Sequence, residues 1–95
     1  MPITTETVDD TARVRIDGEL TIYTVAELAG ALLPQMGAAP RLELDLSEVT
    51  EIDGAGLQLL AVIQREAGVA GIALSVTGQS QVVVQALQLC RSAAS

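Results

Sequence analysis

Apolar and polar residues along the chain change period several times, and each change marks an element. Ala12-Arg13-Val14-Arg15-Ile16-Asp17 alternates strictly, with Val14 and Ile16 on one side and both arginines on the other. That pattern predicts a half-buried strand, ended by Gly18. The Thr-rich stretch Ile3 to Val8 predicts its hairpin partner, with Asp9-Asp10 at the turn. From Thr24 to Leu33 the spacing of Val25, Leu28 and Leu32 predicts a helix with Thr24 as N-cap, stopped by Pro34 or Gly37. Leu42, Leu44 and Leu46 alternate with Glu43 and Asp45 in a second half-buried strand, and Ser47 to Glu51 reads as a polar connection. An apolar helix then runs to about Ala67, with Gly68 and Gly71 bracketing the return loop. Ile72 to Val76 predicts the last strand and Thr77 to Gln79 a turn. Ser80 is expected to cap a final helix whose Gln81, Gln85 and Gln88 form a polar stripe opposite Val83, Ala86, Leu87 and Cys90.

The predicted order is β-β-α-β-α-β-α, an α/β class. Strand-helix-strand units imply parallel neighbours with right-handed crossovers. The opening hairpin adds an antiparallel pair, so the sheet is mixed and four-stranded. Sheets covered on both faces have strands that are apolar on both sides, whereas most strands here alternate. The helices are therefore expected mainly on one face, leaving Arg13, Arg15, Glu43, Asp45 and Ser75 to meet water or a partner.

Length and composition narrow the function classes. A chain of 95 residues predicts a single domain over residues 1–95. Tyr23 is the one aromatic, so the core is aliphatic and a stacking platform for bases is missing. With a net charge of -7 and no lysine, nucleic-acid binding is disfavoured and a basic protein partner is suited. One cysteine and no histidine allow neither an intrachain disulfide nor a zinc cluster, and no metal or other cofactor is expected. Cys90 reads as a small apolar helix residue. No apolar run is long enough for direct membrane insertion, and Met1-Pro2-Ile3-Thr4 does not open a signal peptide, so the expected address is the cytoplasm. With no Walker-type loop either, no catalytic residue is expected, and Asp45 with Asp53 would make a carboxylate pair only by coincidence of folding.

The chemistry concentrates in Leu44-Asp45-Leu46-Ser47-Glu48-Val49-Thr50-Glu51-Ile52-Asp53-Gly54-Ala55-Gly56-Leu57. Asp53 precedes a long helix, where its side chain can accept hydrogen bonds from free N–H groups and its charge suits the helix's positive end. Gly54 and Gly56 leave room for another backbone to approach. Local physics alone reads this as helix capping with glycines for tight packing.

The same segment resembles the signature of the STAS family, the anti-sigma factor antagonists and their relatives, through Asp45-Leu46-Ser47, Val49, Ile52-Asp53 and Gly56-Leu57. Gly18-Glu19-Leu20-Thr21 resembles the family's turn after the second strand. The resemblance spans essentially the whole chain, and among relatives it is nearest to small stand-alone bacterial members. It implies the STAS fold and a non-enzymatic, regulatory protein-binding module. The implied partner is an anti-sigma factor, a histidine-kinase-like protein or a chemotaxis signalling protein. The alternative is an accessory subunit bound to the ATPase of an ABC-type lipid transport system. In partner-switching relatives a hydroxyl residue in the turn is phosphorylated; here that position falls on Ala55, preceded by Gly54, and neither has a hydroxyl. The resemblance places partner binding on Glu19, Leu20 and Thr21, on Asp53, Gly54, Ala55, Gly56 and Leu57, and on the exposed helix face at Gln58 and Val62. The polar sheet face and small size leave room for a homodimer.

Overall fold

A computed structural model describes residues 3–37 and 39–94, with side chains described as far as Leu89. The Met1-Pro2 start and the side chain of Cys90 lie outside the described residues.

Strand β1 (Ile3–Val8) and strand β2 (Thr11–Leu20) form the expected antiparallel hairpin, from Ile3 opposite Ile16 to Val8 opposite Thr11. Asp9 turns the chain at φ 55°, in the left-handed region that Asp tolerates better than most residues. Strand β3 (Arg41–Ile52) lies parallel to β2, and strand β4 (Ala73–Gln79) parallel to β3, giving the order β1-β2-β3-β4.

Three strands run further than their sequence pattern predicts. Gly18 does not end β2: it takes φ 86° within the strand, and pairing continues to Leu20 opposite Ile52. Ser47 to Glu51 is likewise strand and not connection. The β2–β3 register shifts between Arg15 and Asp17 and again between Gly18 and Glu19, with the extra residue on β3 each time. Each such bulge resets which side chains face inward. Hence Val49, three residues after Leu46, is again buried, although simple alternation had stopped. Thr77 to Gln79 also belong to a strand, after a further register shift between Leu44 and Asp45.

Helix α1 (Val25–Leu32) passes into a 3-10 turn over Leu33–Gly37. Helix α2 (Gly54–Ala70) absorbs Gly68 and closes at Gly71, whose φ of 73° supplies the left-handed C-cap. Helix α3 (Gln81–Ala94) follows β4 and exposes the glutamine stripe. Two predicted caps are corrected. The Thr24 side chain does not cap α1, since its hydroxyl is used inside the preceding loop. The Ser80 hydroxyl makes no hydrogen bond; Ser80 instead donates its N–H to the Leu46 carbonyl at 3.1 Å.

The core is one aliphatic layer. Val14, Ile16, Leu42, Leu44 and Leu46 from the sheet meet Leu28, Leu32, Leu59, Ile63 and Val83 from the helices. All these helix residues pack on the same sheet face. The opposite face carries Arg13, Arg15 and Ser75, exposed, with Glu43 and Asp45 half-buried. Arg13 pairs with Glu43 and Arg15 with Asp17, each at 3.3 Å, on open surface where such pairs contribute little.

Candidate functional site

The end of β2 and the end of β3 are neighbours in the parallel ladder, so the segments that follow them, Thr21–Thr24 and the start of α2, emerge side by side. Asp53 ties the two together. Its backbone is extended, and its Oδ1 accepts the Gly56 N–H at 3.1 Å, one of the amides left free at a helix start. Its Oδ2 accepts the Ile22 N–H at 3.1 Å, and its own N–H donates to the Leu20 carbonyl at 3.3 Å. These amides, Ile22 first and then Gly56, hold the Asp53 carboxyl below the usual carboxylate range.

Gly56 answers to the same approach of chains. A Cβ there would collide with the Leu20 carbonyl oxygen, so only glycine lets β2 pass so near the helix. Gly54 has open space around it, and packing does not demand a glycine there. The loop is held from within. The Thr24 hydroxyl donates to the Glu19 carbonyl at 2.9 Å and accepts the Thr21 N–H at 3.0 Å, while the Thr21 hydroxyl accepts the Tyr23 N–H at 3.3 Å.

Of the ten residues expected at a partner surface, Glu19 to Thr21 and Asp53 to Leu57 lie at this junction, Gln58 and Val62 lie further along α2, and the ten divide by exposure. Leu20, Thr21 and Gly56 are buried and shape the junction from behind. Glu19, Gly54 and Gln58 are exposed, and Asp53, Ala55, Leu57 and Val62 are half-buried. Ala55 sits in the first turn of α2, where a hydroxyl is absent. Two exposed residues of the loop escaped the sequence reading: Ile22 and Tyr23, 66% and 89% exposed. Their signal was an apolar pair sitting outside any periodic element.

Asp45 serves elsewhere. Its Oδ1 accepts the Ser47 N–H at 2.9 Å. Ser47, through hydroxyl and amide, lowers its carboxyl, with Arg15 adding to the effect. Gly78 leaves the space that this carboxylate fills, since a Cβ there would lie 2.6 Å from Oδ1. Asp45 lines a depression on the open sheet face and Asp53 lines a groove beside α3, so the two do not form an acid–base pair. Among the described residues, no group of three or more metal-ligating side chains comes together.

The family model described as MlaB, STAS domain, matches residues 3–93. An anti-sigma factor antagonist from Mycobacterium paratuberculosis is 26% identical, with a TM-score of 0.81 over 95% of this chain and 79% of that one. The Bacillus anti-sigma factor antagonist SpoIIAA in its unphosphorylated form is 17% identical, with a TM-score of 0.76 over 94% of this chain and 80% of that one. An antisigma-factor antagonist STAS domain from Rhodobacter sphaeroides is 21% identical, with a TM-score of 0.73 over 85% of this chain and 92% of that one. No curated protein sequence matches the chain.

Proposed function

This chain belongs to the STAS domain family, and from that premise we propose that it is a non-enzymatic regulatory docking module held in one binding-competent state. Its partner is an anti-sigma factor, a histidine-kinase-like protein or a chemotaxis signalling protein. The docking surface is the start of α2 with the end of β2 and the Thr21–Thr24 loop, and the setting is the cytoplasm. No helix among the described residues is long and apolar enough to cross a membrane.

The observation that carries this reading is the pair Gly54-Ala55 at the opening of α2. A phosphorylated hydroxyl there would add about -1.5 to -2 charges beside the ionised Asp53, and would repel and desolvate poorly in a closed interface. Ala55 removes that possibility and leaves a small, neutral surface next to the Asp53–Ile22 bond. The direct test is Ala55→Asp, assayed on the protein that co-purifies with the native chain. The substitution is expected to weaken that complex by at least about tenfold, the scale of an unpaired interfacial charge. Unaltered binding would remove the turn from the interface.

A second reading is the alternative that membership of the STAS family leaves open: an accessory subunit on the ATPase of an ABC-type lipid transport system. Co-purification separates the two. An ATPase and a permease support the second; a kinase-like anti-sigma factor or chemotaxis proteins support the first.

A further inference from the structure

A groove of ≈ 500 Å³ runs beside the junction, floored by Thr50 to Asp53 and bounded by the Thr21–Tyr23 loop and α3. Its α3 wall is Val82, Ala86 and Leu89, one stripe at helical spacing. Among the described residues the stripe stays open at its outer end, where Leu89 is 71% exposed. Tyr23, itself exposed, lines the groove from the loop side. An aromatic and a branched aliphatic side chain, Tyr23 and Leu89, left in water around one groove are the composition of a protein-binding patch. Its rim is acidic. Glu51 and Asp53 line it, and Glu19 is paired with Glu51 across the β2–β3 ladder. No cation lines the groove among the described residues, and none of these three carboxylates is in an ion pair there.

We propose that this groove receives an amphipathic helix of a protein partner. Its apolar side chains seat along Val82, Ala86 and Leu89 against Tyr23, and its Lys or Arg residues lie over Glu19, Glu51 and Asp53. A stripe at i, i+4 and i+7 is a ridge of about two turns, the form that interdigitates with a second helix. The charge of the rim selects a basic one. The proposal rests on the reading of the junction as a docking surface, because Asp53 and the loop belong to both.

Tyr23 is the chain's one aromatic residue, so tyrosine emission reports the groove directly. The probe is a Leu/Lys amphipathic peptide of about 18 residues, long enough to be helical and free of aromatic residues. Saturable change of Tyr23 emission is expected, weakened about tenfold by Leu89→Ser and several-fold by Glu51→Gln. Both side chains are exposed, so an unchanged thermal midpoint is the check that each variant folds. Equal binding of a scrambled peptide of the same composition, or of the Leu89→Ser variant, would overturn the proposal. So would an emission change induced equally by anionic lipid vesicles, or a dimer of the protein alone that Leu89→Ser dissociates. Failure of the broader reading looks different: the peptide then depends on Leu89, while the native partner ignores Ala55→Asp. If Ala55→Asp releases the native partner and Leu89→Ser affects neither partner nor peptide, the docking surface stands and the groove falls.

Discussion

Two glycines two residues apart carry different weights. At Gly56 an added methyl group meets the Leu20 carbonyl oxygen, and neither backbone can yield without disturbing the helix start or the strand end. Gly56→Ala is expected to cost about 2 kcal/mol, the scale of overpacking, whereas Gly54→Ala should change stability by no more than about 0.5 kcal/mol. Urea denaturation of both variants makes the comparison, with the midpoint falling only for Gly56→Ala. Asp53 offers a pH-resolved test. Its folded-state pKa lies below the ordinary value of 3.8, so its ionised form stabilises the fold fully above that value. The contribution is lost as pH falls through the lowered pKa. In Asp53→Asn, one of the two acceptor oxygens becomes a donor facing an N–H. The variant should therefore be less stable than the wild type at neutral pH, and the gap should close under acid, read from thermal midpoints across pH.

The elements differ in how much of them was legible in the alternation of residues. The hairpin, the inward Leu42, Leu44 and Leu46, and the one-sided helix layer all follow from a period of two or of 3.6. The second half of β3 does not, because a bulge breaks the very period by which a strand is recognised. Hydrogen exchange discriminates here. Amides of Ser47–Ile52 that point toward β2 are expected to exchange as slowly as those of Leu42–Leu46, whereas a solvated connection would exchange quickly. The caps failed for a related reason. Thr24 and Ser80 have suitable side chains, but the Thr24 hydroxyl is engaged by Glu19 and Thr21 across the loop, and Ser80 is positioned by its own amide on Leu46. Of the candidate site, Asp53 and Gly56 were legible from local chemistry. The division between presented and buried residues was not, because Leu20 and Thr21 are hidden by the meeting of segments distant in sequence.

At the scale of the whole molecule, charge and topology coincide. The net charge is -7, and Glu19, Glu48, Glu51 and Asp53 lie at the ends of two adjacent parallel strands. A basic partner approaching this end would be drawn in over a distance of about one Debye length, which shrinks from about 10 Å at 0.1 M salt to about 3 Å at 1 M. Raising salt over that range should slow association with the partner about tenfold or more while changing dissociation little, as measured by stopped-flow mixing. The bond between Asp53 and Ile22 has one more consequence. These residues are 31 positions apart, so the surface they frame exists only in the folded chain. A partner docked there is a ligand of the native state alone and adds RT ln(1 + [L]/Kd) to its stability. Abundance and occupancy would thereby be linked: copies in excess of such a partner are expected to unfold more often and to meet proteolysis first.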